Sequence, residues 1–233
     1  MTTSTAPADT ARTRRPQTGP PLVLPVLAFA ALTIAYVVLN SSTPQPTATG
    51  AEVLTHAQGH GTRIRVGAFL LLASAVPLAV LTAVLYRRLR ALGITAPGSA
   101  ITLVGGVLAS LALTLSALFA WTGERLAQTS EAALARTLAD LSFLTGGVTY
   151  AMACGLLVAG LAVSGLRAEL LPKPLAWAGL VIAACGMLGT LSLLADPFAF
   201  ALPVVRFGGL IWLVWAATAL PHHRARTTPP TER

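Results

Sequence analysis

Charged residues are scarce in this chain: Asp, Glu, Lys and Arg make up 10% of its 233 residues, whereas soluble domains carry about 25%. Lysine occurs once, as Lys173, among 16 basic residues. No acidic residue falls near the centre of an apolar segment, which argues against a transporter driven through a midplane carboxylate. Hydrophobic residues reach 55%, so the sequence excludes a soluble domain and indicates a protein whose solvent is lipid.

Recognisable catalytic motifs are missing as well. The sequence contains no phosphate-binding Gly-rich loop with lysine, no zinc protease motif and no hydrolase nucleophile elbow. Histidines that could hold a membrane haem are absent from the apolar segments. We therefore expect a protein that is not an enzyme, with no catalytic residue and no bound metal or cofactor; an enzyme acting on a lipid headgroup is the weakest alternative.

Cysteine is also rare. The two cysteines, Cys154 and Cys185, both fall inside apolar segments, which excludes an extracytoplasmic disulfide framework. A redox or metal pair across two helices is one interpretation. Two small buried side chains that behave as apolar groups are the favoured one.

Six apolar segments occupy most of the chain. Each is long enough to cross a hydrocarbon core about 30 Å thick, and each must be helical because unpaired backbone groups are prohibitive there. The sequence predicts an all-α, polytopic transmembrane bundle over residues 21–220, flanked by disordered basic tails at 1–20 and 221–233. The first segment is too long for a cleavable signal peptide and is interpreted as a retained anchor. The predicted spans are 21–40, 66–86, 98–121, 138–164, 174–195 and 204–220.

The distribution of basic residues predicts the orientation. Of the 16 Lys and Arg residues, 11 fall in the two tails and in the second and fourth connections, and 5 fall on the other side. This excess places both termini in the cytoplasm. The whole net charge of +8 then faces anionic lipid at the cytoplasmic surface, so the lipid bilayer is the expected partner and nucleic acid is not.

Tryptophans and small residues suggest how the helices sit in lipid and against one another. The four tryptophans lie near span ends, as interface anchors do: Trp121, Trp177, Trp212 and Trp215. Small residues recur at four-residue spacing and allow close helix packing: Ala151, Gly155 and Ala159, then Gly179 and Ala183. A homo-oligomer or a contact with another membrane protein would use the same faces, but packing within the bundle is favoured.

The few polar groups close to the hydrocarbon are the best functional candidates. Asp140 opens the fourth span, Asp196 ends the fifth and Arg206 begins the sixth, all on the outer side. We expect an ion pair between Asp196 and Arg206, and one between Arg136 and Asp140 at helical spacing. The functional interpretation is a polar vestibule at the outer mouth of the bundle. The favoured structural alternative is that these side chains extend their charged ends to the membrane interface and hold the loops together through ion pairs.

Two further sets of polar residues each allow two interpretations. His56 and His60 lie four apart in the first outer loop, as metal ligands often do, but Ala57 stands where a zinc protease motif has glutamate; exposed histidines are the favoured interpretation. Hydroxyls inside the spans either bridge helices or bond to their own backbone: Ser110, Thr114, Thr145 and Thr149.

Two segments resemble a known family. The first runs from Asp140 through Leu194, with a small-residue fourth span, a short hydrophilic turn and then LLPKPLAWAGLVIAACGMLGTLSLL. The second runs from Ala51 to Leu89, where a short polar helix leads into RIRVGAFLLLASAVPLAVLTAVLYRRL. Both are similar to bacterial integral membrane proteins grouped as domain of unknown function 4386, of this length and with about six spans. The resemblance implies the same topology in a bacterial plasma (inner) membrane, and it brings no catalytic residues.

These observations lead to two hypotheses about function. The first is a non-enzymatic component for interaction, envelope support or regulation. The alternative is a transporter of a small neutral or lipidic solute that uses the outer polar cluster, since such a solute requires no charged midplane site.

Overall fold

The computed structural model describes residues 21–44, 47–127 and 131–221. Within these ranges the chain is helical and contains no strand. The tails predicted to be disordered, 1–20 and 221–233, lie outside the described residues apart from Pro221. The α-helices are α1 (Val23–Leu39), α2 (Gly50–Gly59), α3 (Gly61–Ala91), α4 (Pro97–Leu126), α5 (Ala132–Phe143), α6 (Tyr150–Arg167), α7 (Lys173–Gly189), the single turn α8 (Ala201–Pro203) and α9 (Gly209–Ala219).

Five helical segments in the described residues are long and apolar enough to cross a membrane. Two of them are α3 and α4, and the other three combine several elements: Ala132–Arg167, Lys173–Leu193 and Pro197–Ala219. The apolar helix α1 has 17 residues, at the lower limit of about 17 for a span. The protein is therefore an all-α, multi-pass membrane protein, with five long spans and a shorter apolar helix where the sequence predicts six spans.

Local sequence signals set the helix ends. Thr49 and Glu52 form a capping box, in which the Thr49 hydroxyl accepts from the Glu52 amide at 3.3 Å and the Glu52 carboxylate accepts from the Thr49 amide at 2.8 Å. Pro97 lies in the first turn of α4, where its missing N–H costs nothing. Gly93 follows α3 with φ of 82°, a left-handed conformation that glycine adopts without penalty.

The spans form a closed ring of neighbours. In order, α1 packs on α3, α3 on α4, α4 on α6, α6 on α7, α7 on α9, and α9 returns to α1. The core between them is apolar and includes Phe29, Leu81, Leu157 and Leu213, each almost fully buried. This ring leaves one end of the bundle, where α1 and α4 end and α3 begins, to be covered by the shorter helices α2 and α5.

Small residues allow close contacts inside this ring. A methyl group on Gly155 would lie 3.2 Å from the Ala183 carbonyl oxygen of α7, and one on Gly186 would lie 2.6 Å from the Ala151 carbonyl oxygen of α6. The small-residue faces predicted in the fourth and fifth spans therefore pack against each other within the chain. They are not left as an outer surface.

One expectation about the tryptophans is wrong. Trp121, Trp177 and Trp215 are 43%, 60% and 62% exposed to the surroundings, as anchors at a membrane surface would be, but Trp212 is only 3% exposed. Its indole Nε1 donates to the Leu175 carbonyl oxygen at 2.7 Å. Position near a span end could not reveal that this ring points into the bundle.

Candidate functional site

A cavity of about 640 Å³ opens at the end of the bundle covered by α2 and α5. We call it the outer cavity, because this end is the one predicted to face outwards. Its walls come from α1, α2, α3, α4, α5, α6 and the last span, and their surface is mainly apolar; Phe119, Phe143, Leu202 and Phe207 are among the lining residues. Polar side chains such as Asn40 and Glu124 also line it, so the wall combines apolar surface with polar groups, as small-molecule sites do.

Arg206 is the central polar group of the outer cavity. Its guanidinium carbon lies 5.9 Å from the centroid of the Tyr36 ring and 5.4 Å from that of Tyr150, so the cation contacts two aromatic faces. Its Nη2 donates to the Gly146 carbonyl oxygen at 2.5 Å. The side chain is thereby fixed in the cavity wall between α1 and α6.

Both partners in the Arg206 to Gly146 contact lie in π-helical turns. The turn Leu144–Thr149 joins α5 to α6, and the turn Val204–Gly208 joins α8 to α9. Such turns are rare and occur frequently at functional sites. Gly146 also permits close approach of α4, since a methyl group on it would lie 2.3 Å from the Ser116 hydroxyl.

A second charged pair borders the outer cavity. Arg136 and Asp140 form a double contact, with Nε to Oδ2 and Nη2 to Oδ1 both at 3.0 Å. Arg136 Nη1 also donates to the Ala48 carbonyl oxygen and so connects α5 to the segment before α2. This pair therefore holds the cover of the outer cavity in place.

The histidines lie at the edge of the same end. His56 lines the outer cavity, while His60 lies in a neighbouring polar depression with Arg63, Arg65 and Glu124. Their rings stack with centroids 4.5 Å apart. Burial, and then the nearby charges of His60 and Arg63, lower the pKa of His56 below 6.5, so His56 contributes no charge to the outer cavity at neutral pH.

The structure thus places four of the six predicted site residues around one cavity: His56, Arg136, Asp140 and Arg206. His60 lies beside it. The side chain of Asp196 is outside the described side chains, so its ion pair with Arg206 stays a prediction. In the part of the chain that the structure describes, no three potential metal-ligating side chains come together.

The span hydroxyls mostly bond to their own helices. Ser110 donates to Gly106 at 2.9 Å and Thr145 donates to Leu141 at 2.7 Å, in both cases to the carbonyl four residues earlier. Ser116 is different, because its hydroxyl donates to the Ser142 carbonyl oxygen of another helix, at 2.8 Å. No spacing pattern in the sequence indicates this contact. This contact ties α4 to α5 beside the outer cavity.

Sequence patterns did not single out Tyr36, Tyr150 or Gly146. The chain has only 3 tyrosines, and two of them line the outer cavity. A tyrosine inside an apolar span is therefore the signal that could have pointed to the site. These rings contact Arg206 only in the folded structure, and no spacing of residues in the sequence indicates the contact.

The comparison with known proteins adds a family to this architecture. The profile of the family described as Domain of unknown function (DUF4386) matches residues 23–217. No curated protein and no solved structure gives a significant match. The matched range runs from the start of α1 almost to the end of α9, so it includes every span and every described residue of the outer cavity. The resemblance seen in the sequence is confirmed, and the chain belongs to the DUF4386 family.

Proposed function

We propose that the protein binds an amphipathic small molecule in the outer cavity and acts as a carrier or receptor for it in the bacterial plasma membrane, without a chemical reaction. The observation that carries this proposal is the outer cavity itself. Its volume of about 640 Å³ falls within the range of about 300–1,000 Å³ that is typical of small-molecule sites. A tyrosine-flanked arginine and an ion pair lie at its wall, which adds polar groups that could orient a ligand.

The wall composition supports an amphipathic ligand. Aromatic and aliphatic side chains such as Phe143 and Leu202 provide apolar surface, while Asn40 and Arg206 provide hydrogen-bonding groups at the same cavity. A wholly polar solute would leave most of this surface unmatched, and a pure hydrocarbon would leave the arginine unpaired. A molecule with an apolar body and one polar end satisfies both parts.

The interaction or envelope role has less support. It was favoured by the small-residue faces, and those faces pack within the bundle: Gly179, for example, lies against the Trp212 ring, where a methyl group would be 2.6 Å from Cζ2. A partner protein would need another surface. No feature of the described residues identifies one.

The proposed orientation has both termini in the cytoplasm and the outer cavity on the opposite side. It is supported by the excess of basic residues at the end of the bundle away from the cavity, including Arg87, Arg88 and Arg90. With the two native cysteines replaced by alanine, a cysteine at Arg90 should react with an impermeant maleimide only after the cytoplasmic side is opened. A cysteine at Gln128 should react in intact cells, and the reverse pattern would overturn the orientation.

Binding is tested with a neutral amphiphile. We expect tritiated dodecanol to bind saturably to the purified protein in phosphatidylcholine nanodiscs, above the signal from empty nanodiscs. Ala120 lines the outer cavity, and Ala120→Trp should fill it and weaken binding by about tenfold or more, equivalent to about 1.4 kcal/mol.

Ala100→Trp is the matched control. Ala100 lies on the same helix, is exposed and does not line the outer cavity, so its replacement should leave the dodecanol affinity as in the wild type. Absence of saturable dodecanol binding would refute the proposed function. Equal affinities of the two variants would refute its location.

A further inference from the structure

We propose that the ligand of the outer cavity is a single-chain amphiphile with a carboxylate, and that Arg206 binds this carboxylate. The inference rests on the proposed function, because it assigns the chemical class of the molecule that the outer cavity holds. It goes beyond that function in naming a charge, a recognition residue and a stoichiometry of one anionic group.

Arg206 has hydrogen-bonding capacity that the described protein groups do not use. A guanidinium carries five N–H donors. Only one protein acceptor, the Gly146 carbonyl oxygen, receives a hydrogen bond from this side chain among the described residues. The two tyrosine rings contact the guanidinium through their faces and accept no conventional hydrogen bond, so donors remain for a ligand at the cavity wall.

The described carboxylates at this end of the bundle pair with arginines other than Arg206. Asp140 is paired with Arg136 at 3.0 Å, and Glu124 is paired with Arg65 at 3.5 Å. None of the described carboxylates forms an ion pair with Arg206. Among the described side chains Arg206 therefore has no anionic partner within ion-pair distance; the side chain of Asp196, its predicted partner, lies outside them.

The surroundings of Arg206 favour an anionic ligand energetically. A cation against apolar walls is costly unless it is hydrated or paired, and contact with two aromatic rings offsets part of that cost. An anionic ligand offsets the rest. The planar fork of a guanidinium matches the two oxygens of a carboxylate, and one positive charge balances the single charge of a carboxylate better than the charge of about −1.5 to −2 on a phosphate monoester.

Contacts within the protein also fix the position of Arg206. Its own π-helical turn, Val204–Gly208, and the facing turn, Leu144–Thr149, bring the side chain and its backbone acceptor together. A fixed cation loses little conformational freedom on binding, which favours affinity. The apolar chain of the amphiphile then lies along the cavity wall that includes Phe143, Leu202 and Phe207.

The experiment compares three probes with the same alkyl chain: dodecanoate, dodecanol and dodecyl phosphate. Each is titrated into the full-length protein in phosphatidylcholine nanodiscs at about pH 8, where the carboxylate is ionised. We expect dodecanoate to bind more tightly than dodecanol, by about tenfold or more for a charge-assisted contact, and more tightly than dodecyl phosphate.

The variants report on Arg206 itself. In Arg206→Gln, which keeps an N–H donor for Gly146, the ratio of dodecanoate to dodecanol affinity should fall about tenfold. Arg206→Lys keeps the charge but not the fork and should give an intermediate ratio. Arg125→Gln is the matched control, because Arg125 also lies over an aromatic ring, Trp121, at 5.0 Å, but does not line the outer cavity; it should leave the ratio as in the wild type.

The outcomes separate this inference from the proposed function. If dodecanol binds saturably and dodecanoate binds no more tightly, or if Arg206→Gln leaves the ratio unchanged, the carboxylate inference is overturned and the proposed function stands. Tighter binding of dodecyl phosphate would overturn the choice of carboxylate. Failure of dodecanol to bind saturably would overturn the proposed function and, with it, this inference.

Discussion

Replacing Gly105 with alanine is expected to lower the free energy of unfolding by about 3 kcal/mol, the upper end of the usual cost of overpacking a core. The added methyl group would lie 2.3 Å from the Leu157 amide nitrogen and 2.8 Å from the Ala153 carbonyl oxygen. Both are backbone atoms of α6, so the clash cannot be relieved by rotating a side chain. The whole of α6 would have to move away from α4.

The measurement is the midpoint of unfolding in detergent, and the loss of helix content with increasing denaturant reports the transition. Gly123→Ala is the matched control, because Gly123 lies on the same helix and its added methyl group would meet Leu138 at an ordinary 3.5 Å. Its stability should be unchanged or higher by up to about 1 kcal/mol, since alanine favours helix over glycine. Equal midpoints for the two variants would show that α4 and α6 are not in close contact.

Trp212→Ala is expected to destabilise the bundle by about 3–5 kcal/mol, the range for truncating a large buried aromatic side chain. The ring is 3% exposed and fills the space beside Gly179. Its removal leaves a hole between α7 and α9 and also leaves the Leu175 carbonyl oxygen without its indole donor, which lies at 2.7 Å.

Two companion variants divide this effect. Trp212→Phe keeps most of the ring but loses the donor and should cost about 1–3 kcal/mol, the penalty for an unsatisfied buried acceptor. Trp215→Ala removes a ring that is 62% exposed and should change the same unfolding midpoint little. A larger loss at Trp215 than at Trp212 would contradict the packing described for the last span.

Hydropathy alone was sufficient to predict the helical fold, because lipid admits few backbone arrangements. Its boundaries were less accurate: the fourth span was predicted at 138–164, and the helical segment runs over Ala132–Arg167. Most of the extra residues form the amphipathic start of α5, where Arg136 lies on the cavity side; the other three are the last residues of α6. A polar helical turn that covers a cavity does not register as an apolar segment.

The candidate site was predictable in its parts but not in its arrangement. Arg206 could be identified as a candidate site residue from the sequence, because a charge so near the hydrocarbon is costly unless it is paired or hydrated. The rings of Tyr36 and Tyr150 could not be assigned to it from the sequence, because they reach Arg206 only after α1, α6 and the last span pack together. The Trp212 error has the same origin: which side of a helix faces lipid depends on its neighbours.

The turn Val204–Gly208 has a consequence for the length of the last span. A π-helical turn holds one residue more than an α-helical turn would, and the α-helix rotates by about 100° for each residue. Deleting that surplus residue would therefore convert Val204–Gly208 to an ordinary α-helical turn, remove the wide turn that holds Arg206, and leave the two halves of the span in register. Deleting a residue from α9 instead would rotate the end of the span against Arg206. In this protein the wall of the outer cavity depends on residue count as well as on residue type.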